Sequence, residues 1–378
     1  MAAERSLQPE HVIALRRPTR RRPEFHKLAV ARLERLTDDA YLLGFAVPVE
    51  LRDTFAFRPG QHLTVRHLVD GVDARRSYSI CSTPERLATD GELQVGVKLI
   101  PDGVFSRYVS EELAVGDRVE VLPPLGHFTT DLAPERSRHY AAIVAGSGVT
   151  PVLSLVATAL SVEPASRFTV LYGNRFVRSV MFVDELADLK DRYPDRLQLV
   201  HVLSREPGGS ELLSGRLDED RIGRLLAALL DPSTVDEWFL CGPYGMVVGA
   251  QRVLAGVGVD DRSVHTELFH VSAEPPATPS SAPVPEGEAQ VTITLDGRSS
   301  TFGMGYDERI LDRALDVRGE LPYSCRGGVC STCRAKVTGG EVRMARNFAL
   351  EPDELAAGYV LTCQSSPVTD HVEVDYDG

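Results

Sequence analysis

The sequence predicts three folded modules: an antiparallel β-barrel, an α/β domain on a parallel sheet, and a small α+β domain at the C-terminus. Three observations predict it. Short runs rich in Val, Leu, Tyr and Phe, separated by Gly, Pro and Asp, fill residues 25–132. Strand-length and helix-length apolar segments alternate from residue 138, and a Pro-rich stretch then precedes a final segment holding four of the six cysteines. At 378 residues the chain has the length of several domains, at about 100–200 residues each.

Composition narrows the class. With 43% hydrophobic and 25% charged residues the chain can bury cores, which excludes wholesale disorder and coiled coil. A net charge of −13 argues against nucleic-acid binding, which needs a positive surface. Six cysteines are too few for a disulfide-stapled secreted fold. Residues 1–23 carry Arg16, Arg17, Arg20, Arg21 and Arg22 but no apolar core of a signal peptide, and read as a solvated basic leader. Residues 140–162 carry no charge over 23 positions, long enough to span a bilayer. Gly146-Ser147-Gly148 and Thr150-Pro151 interrupt them, so they read as buried strand, glycine loop and buried helix. The expectation is a cytoplasmic protein that binds neither membrane nor nucleic acid.

Each module has its own pattern. In 24–135, LAVARLERL, AYLLGFAV, HLTVRHLV, RRSYSICS, LQVGVKLI and DRVEVL are strands of a barrel. In 136–272, HYAAIVAG, RFTVLYGN, LQLVHVLS and EWFLCGP are strands, and PVLSLVATAL, MFVDELADLKDRY and RIGRLLAALL are helices. That alternation means a parallel sheet covered on both faces, with ligands beyond the carboxyl ends of its strands. Residues 273–287, with five prolines in fifteen residues, read as a semi-rigid tether able to span on the order of 40 Å. In 288–378, QVTITLD and STFGM form a hairpin, RILDRALDVRG an amphipathic helix, and the rest a Gly- and Cys-rich loop with short strands.

Cys325, Cys330, Cys333 and Cys363 have the spacing C-x4-C-x2-C-x29-C, that of four thiolates around a plant-type [2Fe–2S] cluster. The cluster is anionic, so a loop must wrap it closely and aim backbone N–H groups inward. Ser324, Gly327, Gly328, Ser331 and Thr332 supply the small residues this needs. The fourth ligand is expected on a distant strand, YVLTCQSS. The alternatives are structural zinc, which more often pairs two short Cys knuckles, or four unrelated thiols.

Arg76-Ser77-Tyr78-Ser79 offers a cation for a pyrophosphate, an aromatic face for a flavin ring and a small donor near its N5. Val97-Lys98 follows, and then Gly103-Val104-Phe105-Ser106, whose Gly103 and Ser106 would open a short helix with its amides facing an anion. Between the first parallel strand and its helix, Gly146 and Gly148 let a pyrophosphate approach the backbone, and Thr150-Pro151 start the helix. Asn174 and Arg175 follow the second strand, Ser204 and Arg205 the third, and Cys241-Gly242-Pro243 with Met246 the last. A Ser-Arg pair in that third turn suits a ribose 2′-phosphate, favouring NADPH, with NADH the alternative.

In this order the motifs resemble the ferredoxin-reductase superfamily, and within it the oxygenase reductases that end in a ferredoxin domain of the β-grasp fold. The resemblance covers residues 25–378. It implies that Arg76, Tyr78, Ser79, Val97, Lys98, Gly103 and Ser106 hold FAD. Gly146, Gly148, Thr150, Pro151, Asn174, Arg175, Ser204, Arg205, Cys241, Gly242, Pro243 and Met246 would hold the nicotinamide dinucleotide. Ser79 and Cys241 would lie at the hydride-transfer position, with a buried inert thiol the alternative for Cys241. Phe269 of Glu267-Leu268-Phe269 would cover the ring.

More narrowly, Cys325 to Cys333, Met344-x-x-Asn347-Phe348-Ala349-Leu350 and His265-Thr266-Glu267-Leu268-Phe269 resemble the reductases of bacterial phenylacetyl-CoA epoxygenases, of phenylacetate degradation. Steroid-ring or other aromatic and alkane hydroxylase reductases are the second comparison. The resemblance implies electron transport from NAD(P)H through FAD and the cluster, one electron at a time, to a di-iron oxygenase partner. A non-catalytic iron–sulfur redox sensor is the alternative of another class.

Overall fold

The computed structural model describes residues 24–206, 209–269 and 287–378; the basic leader and nearly all of the Pro-rich stretch lie outside them. The six expected barrel runs are six strands: β1 (His26–Thr37), β2 (Ala40–Ala46), β3 (His62–Val69), β4 (Val72–Ser79), β5 (Glu92–Lys98) and β6 (Arg118–Val121). Helix α1 (Pro84–Asp90) precedes β5 and α2 (Val104–Glu111) follows it. Helix α1 shows why the chain turns there: the Thr83 hydroxyl caps Arg86 N–H, Pro84 opens the helix, and Gly91 ends it at φ 68°.

The strands run antiparallel in the order β4-β3-β6-β1-β2-β5. Beyond β4, Ile80 bridges to Val95 on β5 and Cys81 N–H donates to the Gln94 carbonyl at 2.9 Å, so the sheet curls onto itself. Leu28, Phe45, Leu63, Val65, Val95 and Phe105 fill the interior.

The second sheet is parallel throughout: β7 (His139–Ala145), β8 (Arg167–Asn174), β9 (Leu197–Leu203), β10 (Glu237–Cys241) and β11 (Val264–Glu267), in the order β11-β10-β7-β8-β9. Helices α3 (Val149–Val162), α4 (Val183–Arg192), α5 (Glu219–Leu229) and α6 (Tyr244–Gly256) connect them. The uncharged stretch is thus β7, a glycine turn and α3; among the described residues no helix is long and apolar enough to cross a membrane.

Two elements of this unit were not expected. Helix α6 contains Gly245, Gly249 and Gly256 and lacks a clean apolar stripe, and β11 is only four residues, VHTE. Helix α4 starts two residues later than expected, because Phe182 is left-handed at φ 59° and cannot join the helix.

The C-terminal sheet is mixed. Strands β12 (Glu288–Leu295) and β13 (Arg298–Gly305) form the expected hairpin. Its turn is Asp296-Gly297, with φ of 54° and 67°, a two-residue turn whose twist matches that of the strands. Helix α7 (Ile310–Val317) crosses the sheet, followed by β14 (Arg334–Gly339), β15 (Val342–Met344), α8 (Pro352–Ala356), β16 (Tyr359–Leu361), β17 (Ser365–Pro367) and β18 (His371–Asp375). The order β13-β12-β18-β14-β16, with β18 parallel to β12, closes the unit around Val291, Ile293, Leu311, Leu361 and Val374.

The modules share cores. Ala40, Leu42, Cys81 and Phe128 of the barrel side pack with Val152, Leu155 and Phe239 of the parallel-sheet unit. Val329 and Phe348 of the C-terminal unit pack on the opposite face of that sheet, near Leu217 and Met246. All three units meet around the start of β3 and the end of β4.

Candidate functional site

The four C-terminal cysteines come as two pairs. Cys325 faces Cys330 and Cys333 faces Cys363; within each pair the shared hydrogen bond pushes one thiol up and its partner down. Among the described residues no three His, Cys, Asp or Glu side chains gather as they would around a single metal ion. Two pairs, three thiols on one loop and Cys363 on a separate turn, suit two irons, each taking two thiolates, better than one tetrahedral zinc. The loop is bent for close wrapping: Arg326, Gly328 and Ser331 have φ of 52°, 80° and 55°, and Gly327 N–H donates to Cys325 Sγ at 3.3 Å. Ser324, Thr332, Cys330, Cys333 and Cys363 are buried. One expectation is corrected. Cys363 lies in the turn between β16 and β17, because Thr362 breaks from the strand to hydrogen-bond the Cys333 carbonyl through both N–H and hydroxyl.

On the barrel, β4 alternates its faces. Arg76 is exposed and Tyr78 leans toward Phe105, ring centroids 5.8 Å apart. Ser79 is buried, and its hydroxyl donates to Glu267 Oε2 at 2.8 Å. Gly103 caps α2 without a side chain, leaving the first amides of that helix to an anion. Ser106 closes the same loop internally, donating to the Gly103 carbonyl at 3.2 Å and accepting from Ile100 N–H. The Val97 side chain is enclosed in the barrel core, and Lys98 Nζ pairs with Asp39 at 3.2 Å.

At the carboxyl ends of the parallel strands, Gly146 has φ 56° with open space around it. At Gly148 a Cβ would stand 2.2 Å from the Cys241 carbonyl oxygen, so only glycine lets the two loops meet. The Thr150 hydroxyl donates to the Ser147 carbonyl at 2.8 Å, and Pro151 is the third residue of α3. Asn174 is buried with its Nδ2 lacking a hydrogen-bond partner among the described residues, the state of a donor waiting for a ligand. Ser204 N–H and Arg205 N–H donate to the Asn174 and Arg175 carbonyls, which pairs the backbones of two exposed arginines, Arg175 and Arg205. Glu206 is diverted: its carboxylate accepts from Val177 N–H at 2.8 Å. Cys241 is fully buried, Gly242 turns at φ 156° against Met246, and Pro243 caps α6. A cavity of about 340 Å³ lined by His139, Arg167 and Leu197 lies at the opposite, amino ends of the strands, away from this constellation.

Glu267 is the residue that sequence reasoning passed over in favour of Phe269. It stands beside Cys241 in parallel register, and burial raises its carboxyl to about 7. Phe269, two residues on, is exposed. His62, also missed, pairs with Ser79 across β3 and β4. Its ring is buried and held neutral, lowered to about 4 chiefly by that burial, which the Cys330 backbone opposes; Nδ1 lies 3.8 Å from Glu267 Oε1. Gly126 at φ 115° makes room for it, since a Cβ there would stand 2.9 Å from His62 Nδ1. An acidic residue at the end of the short strand VHTE was the one available signal for Glu267; His62 gave none.

Three family models match in the order the fold shows: an oxidoreductase FAD-binding domain over residues 27–130, an oxidoreductase NAD-binding domain over 142–252, and a 2Fe-2S iron-sulfur cluster binding domain over 293–368. The chain is 47% identical over 354 residues to one of the subunits of the 1,2-phenylacetyl-CoA epoxidase of Escherichia coli strain K12, covering 93% of this chain and 98% of that one. It is 36% identical over 356 residues to the ferredoxin reductase component of a 3-ketosteroid-9-alpha-monooxygenase of Rhodococcus rhodochrous, covering 92% and 96%. Among solved structures, phthalate dioxygenase reductase aligns with a TM-score of 0.56 at 21% identity, over 93% of this chain and 98% of that one, a likeness of fold.

Proposed function

The chain belongs to the ferredoxin-reductase superfamily, in the branch with a C-terminal [2Fe–2S] domain, and is the electron-transfer component of a multicomponent oxygenase; from there we propose that it draws on NADPH and serves a di-iron oxygenase acting on phenylacetyl-CoA. The observation that carries the internal route is the seam where Ser79, Glu267 and Cys241 meet one step from the cysteine loop, through Ser77 Oγ to Ser324 Oγ at 3.0 Å. A bound flavin takes two electrons together from a nicotinamide and gives them up singly to iron.

The chain's own residues do the rest. Arg76 and the open start of α2 would bind the flavin's phosphates, with Tyr78 against its ring. The Gly146–Gly148 turn and the start of α3 would bind the dinucleotide's pyrophosphate, and Asn174 Nδ2 would donate to it. Arg175 and Arg205 would take a 2′-phosphate, which Glu206, tied to Val177, does not repel. Ser79 and Glu267 would fix the nicotinamide opposite the flavin, the Ser79 hydroxyl donating to Glu267 Oε2. Cysteine pairs 325/330 and 333/363 would each hold one iron.

Support for phenylacetyl-CoA as the partner's substrate is the near full-length likeness to the Escherichia coli protein, which exceeds that to the steroid enzyme's reductase. A redox sensor would need neither dinucleotide site. The test couples the purified holoprotein to a di-iron oxygenase of this specificity. Phenylacetyl-CoA should be consumed one-for-one with NADPH; oxidation of NADPH with no change in the thioester would refute the assignment.

A further inference from the structure

The barrel donates a buried arginine to the cysteine loop's docking that neither cofactor motif contains. Arg75 precedes the motif arginine and points the other way. Its side chain is 2% exposed, although a guanidinium is among the groups least often buried. Its partners come from two modules. Within the barrel, Nε and Nη2 grip the Asp73 carboxylate at 3.2 and 2.8 Å. From the C-terminal unit, the Leu321 carbonyl accepts from Nη1 at 3.0 Å, and the Tyr323 ring lies 4.1 Å from the guanidinium carbon. Arg326 covers Tyr323 at 4.7 Å, so the ring two residues before Cys325 is held between a barrel cation and a loop cation.

The rest of this seam is a long contact of His127 Nε2 to Glu354 Oε1 at 3.7 Å, half-exposed at the histidine, and hydroxyl on hydroxyl: Ser77 with Ser324, and Thr64 with Thr332 at 3.3 Å. Such bonds exchange with water at a net value of about 1 kcal/mol each and orient poorly by themselves. A planar guanidinium gripping a carboxylate on one side, with a carbonyl and a ring on the other, fixes both distance and rotation. Apolar contact on the other side of the loop, through Phe348 against Tyr244 at 6.0 Å, leaves that rotation free.

We propose that Arg75 is the positioning residue that seats the [2Fe–2S] loop against the flavin barrel for internal electron transfer. The inference rests on the cofactor assignment above. Arg75 touches neither cofactor site in the assignment; it acts through Leu321 and Tyr323. With both cofactors bound, the electron that reaches the cluster across the seam would be supplied by the flavin and, before it, by NADPH.

The test uses the full-length holoprotein and Arg75→Gln, with stopped-flow absorbance separating flavin bleaching from cluster reduction. Bleaching by NADPH should stay within twofold of the parent, while cluster reduction slows at least tenfold. Arg75→Lys, which keeps the charge but loses the fork, should fall between. Hydrogen exchange on the chain stripped of both cofactors gives an independent readout: amides of residues 321–334 should exchange faster in Arg75→Gln. Unchanged cluster reduction, or equal slowing of both phases, would overturn the proposal, as would unchanged exchange. Should Arg75→Gln fail to retain flavin, Asp73→Asn removes the carboxylate that aims the guanidinium, together with its half-exposed pairing to Arg66 at 3.4 Å. It should show the same split at about threefold, and no split there would overturn the proposal too. Absence of bleaching in the parent protein would instead sink the cofactor assignment.

Discussion

The cysteine loop and the hydride seam solve similar problems by opposite means. All four cluster thiols come from one unit, three from a single loop and Cys363 from a turn after β16. The seam draws His62 and Ser79 from the barrel and Cys241 and Glu267 from the parallel-sheet unit, and its far side is the loop itself. A local site is specified by spacing; a composite site is specified by how three sheets pack. Damage to the first should therefore stay in the first, whereas damage to the second should reach more than one step.

The largest expected effect tests that containment. Cys333→Ser removes one thiol of a pair, so the holoprotein should lose its cluster absorbance and all cluster-dependent transfer. NADPH-driven ferricyanide reduction at the flavin should remain. Loss of both activities would show that the loop is not a separable unit.

Next, Ser79→Ala removes the hydroxyl that donates to Glu267. Misplacing reacting groups by about 1 Å costs on the order of 100-fold, so flavin bleaching by NADPH should slow by about that factor with flavin content unchanged. Gly148→Ala should be milder in rate but visible in binding. Its Cβ meets the Cys241 carbonyl at 2.2 Å, and relieving such overlap costs about 1–3 kcal/mol. KM for NADPH should rise about tenfold, with a lower melting temperature.

The smallest effect is on pH dependence. Burial raises the Glu267 carboxyl from 4.5 to about 7, so between those values the native chain holds a proton that the unfolded chain has lost. Stability from this group is fully present below about 4.5 and falls as pH rises to about 7, by on the order of 3 kcal/mol. Glu267→Gln in the cofactor-free chain should flatten the decline in melting temperature across that window. A slope identical to the parent's would place the carboxyl in water.

The same contrast explains what could be read in the sequence. The barrel strands were legible because each is a short run rich in Val, Leu, Tyr or Phe between Gly, Pro and Asp punctuation, and the cysteine quartet because its spacing is itself the chemistry. Helix α6 was hidden by its glycines and β11 by its shortness. Glu267 was written in the motif but outweighed by Phe269, since nothing local says which of the two side chains reaches Ser79; that depends on the register of β11 against β10. His62 and Arg75 were illegible for the same reason. One looks like an ordinary barrel-strand histidine and the other like a surface arginine until the neighbouring modules are placed on them. Cys363 was misplaced onto a strand because YVLTCQSS has strand composition, and only the hydrogen bonds of Thr362 to Cys333 show the turn.

The measurement that bears most directly on the seam is the concentration dependence of cluster reduction after rapid mixing of the holoprotein with excess NADPH. Electron passage between flavin and cluster within one chain predicts a first-order rate that is unchanged over a tenfold dilution of the protein. A rate that falls in proportion to protein concentration would mean that electrons pass between molecules, and the docked seam would not be the route.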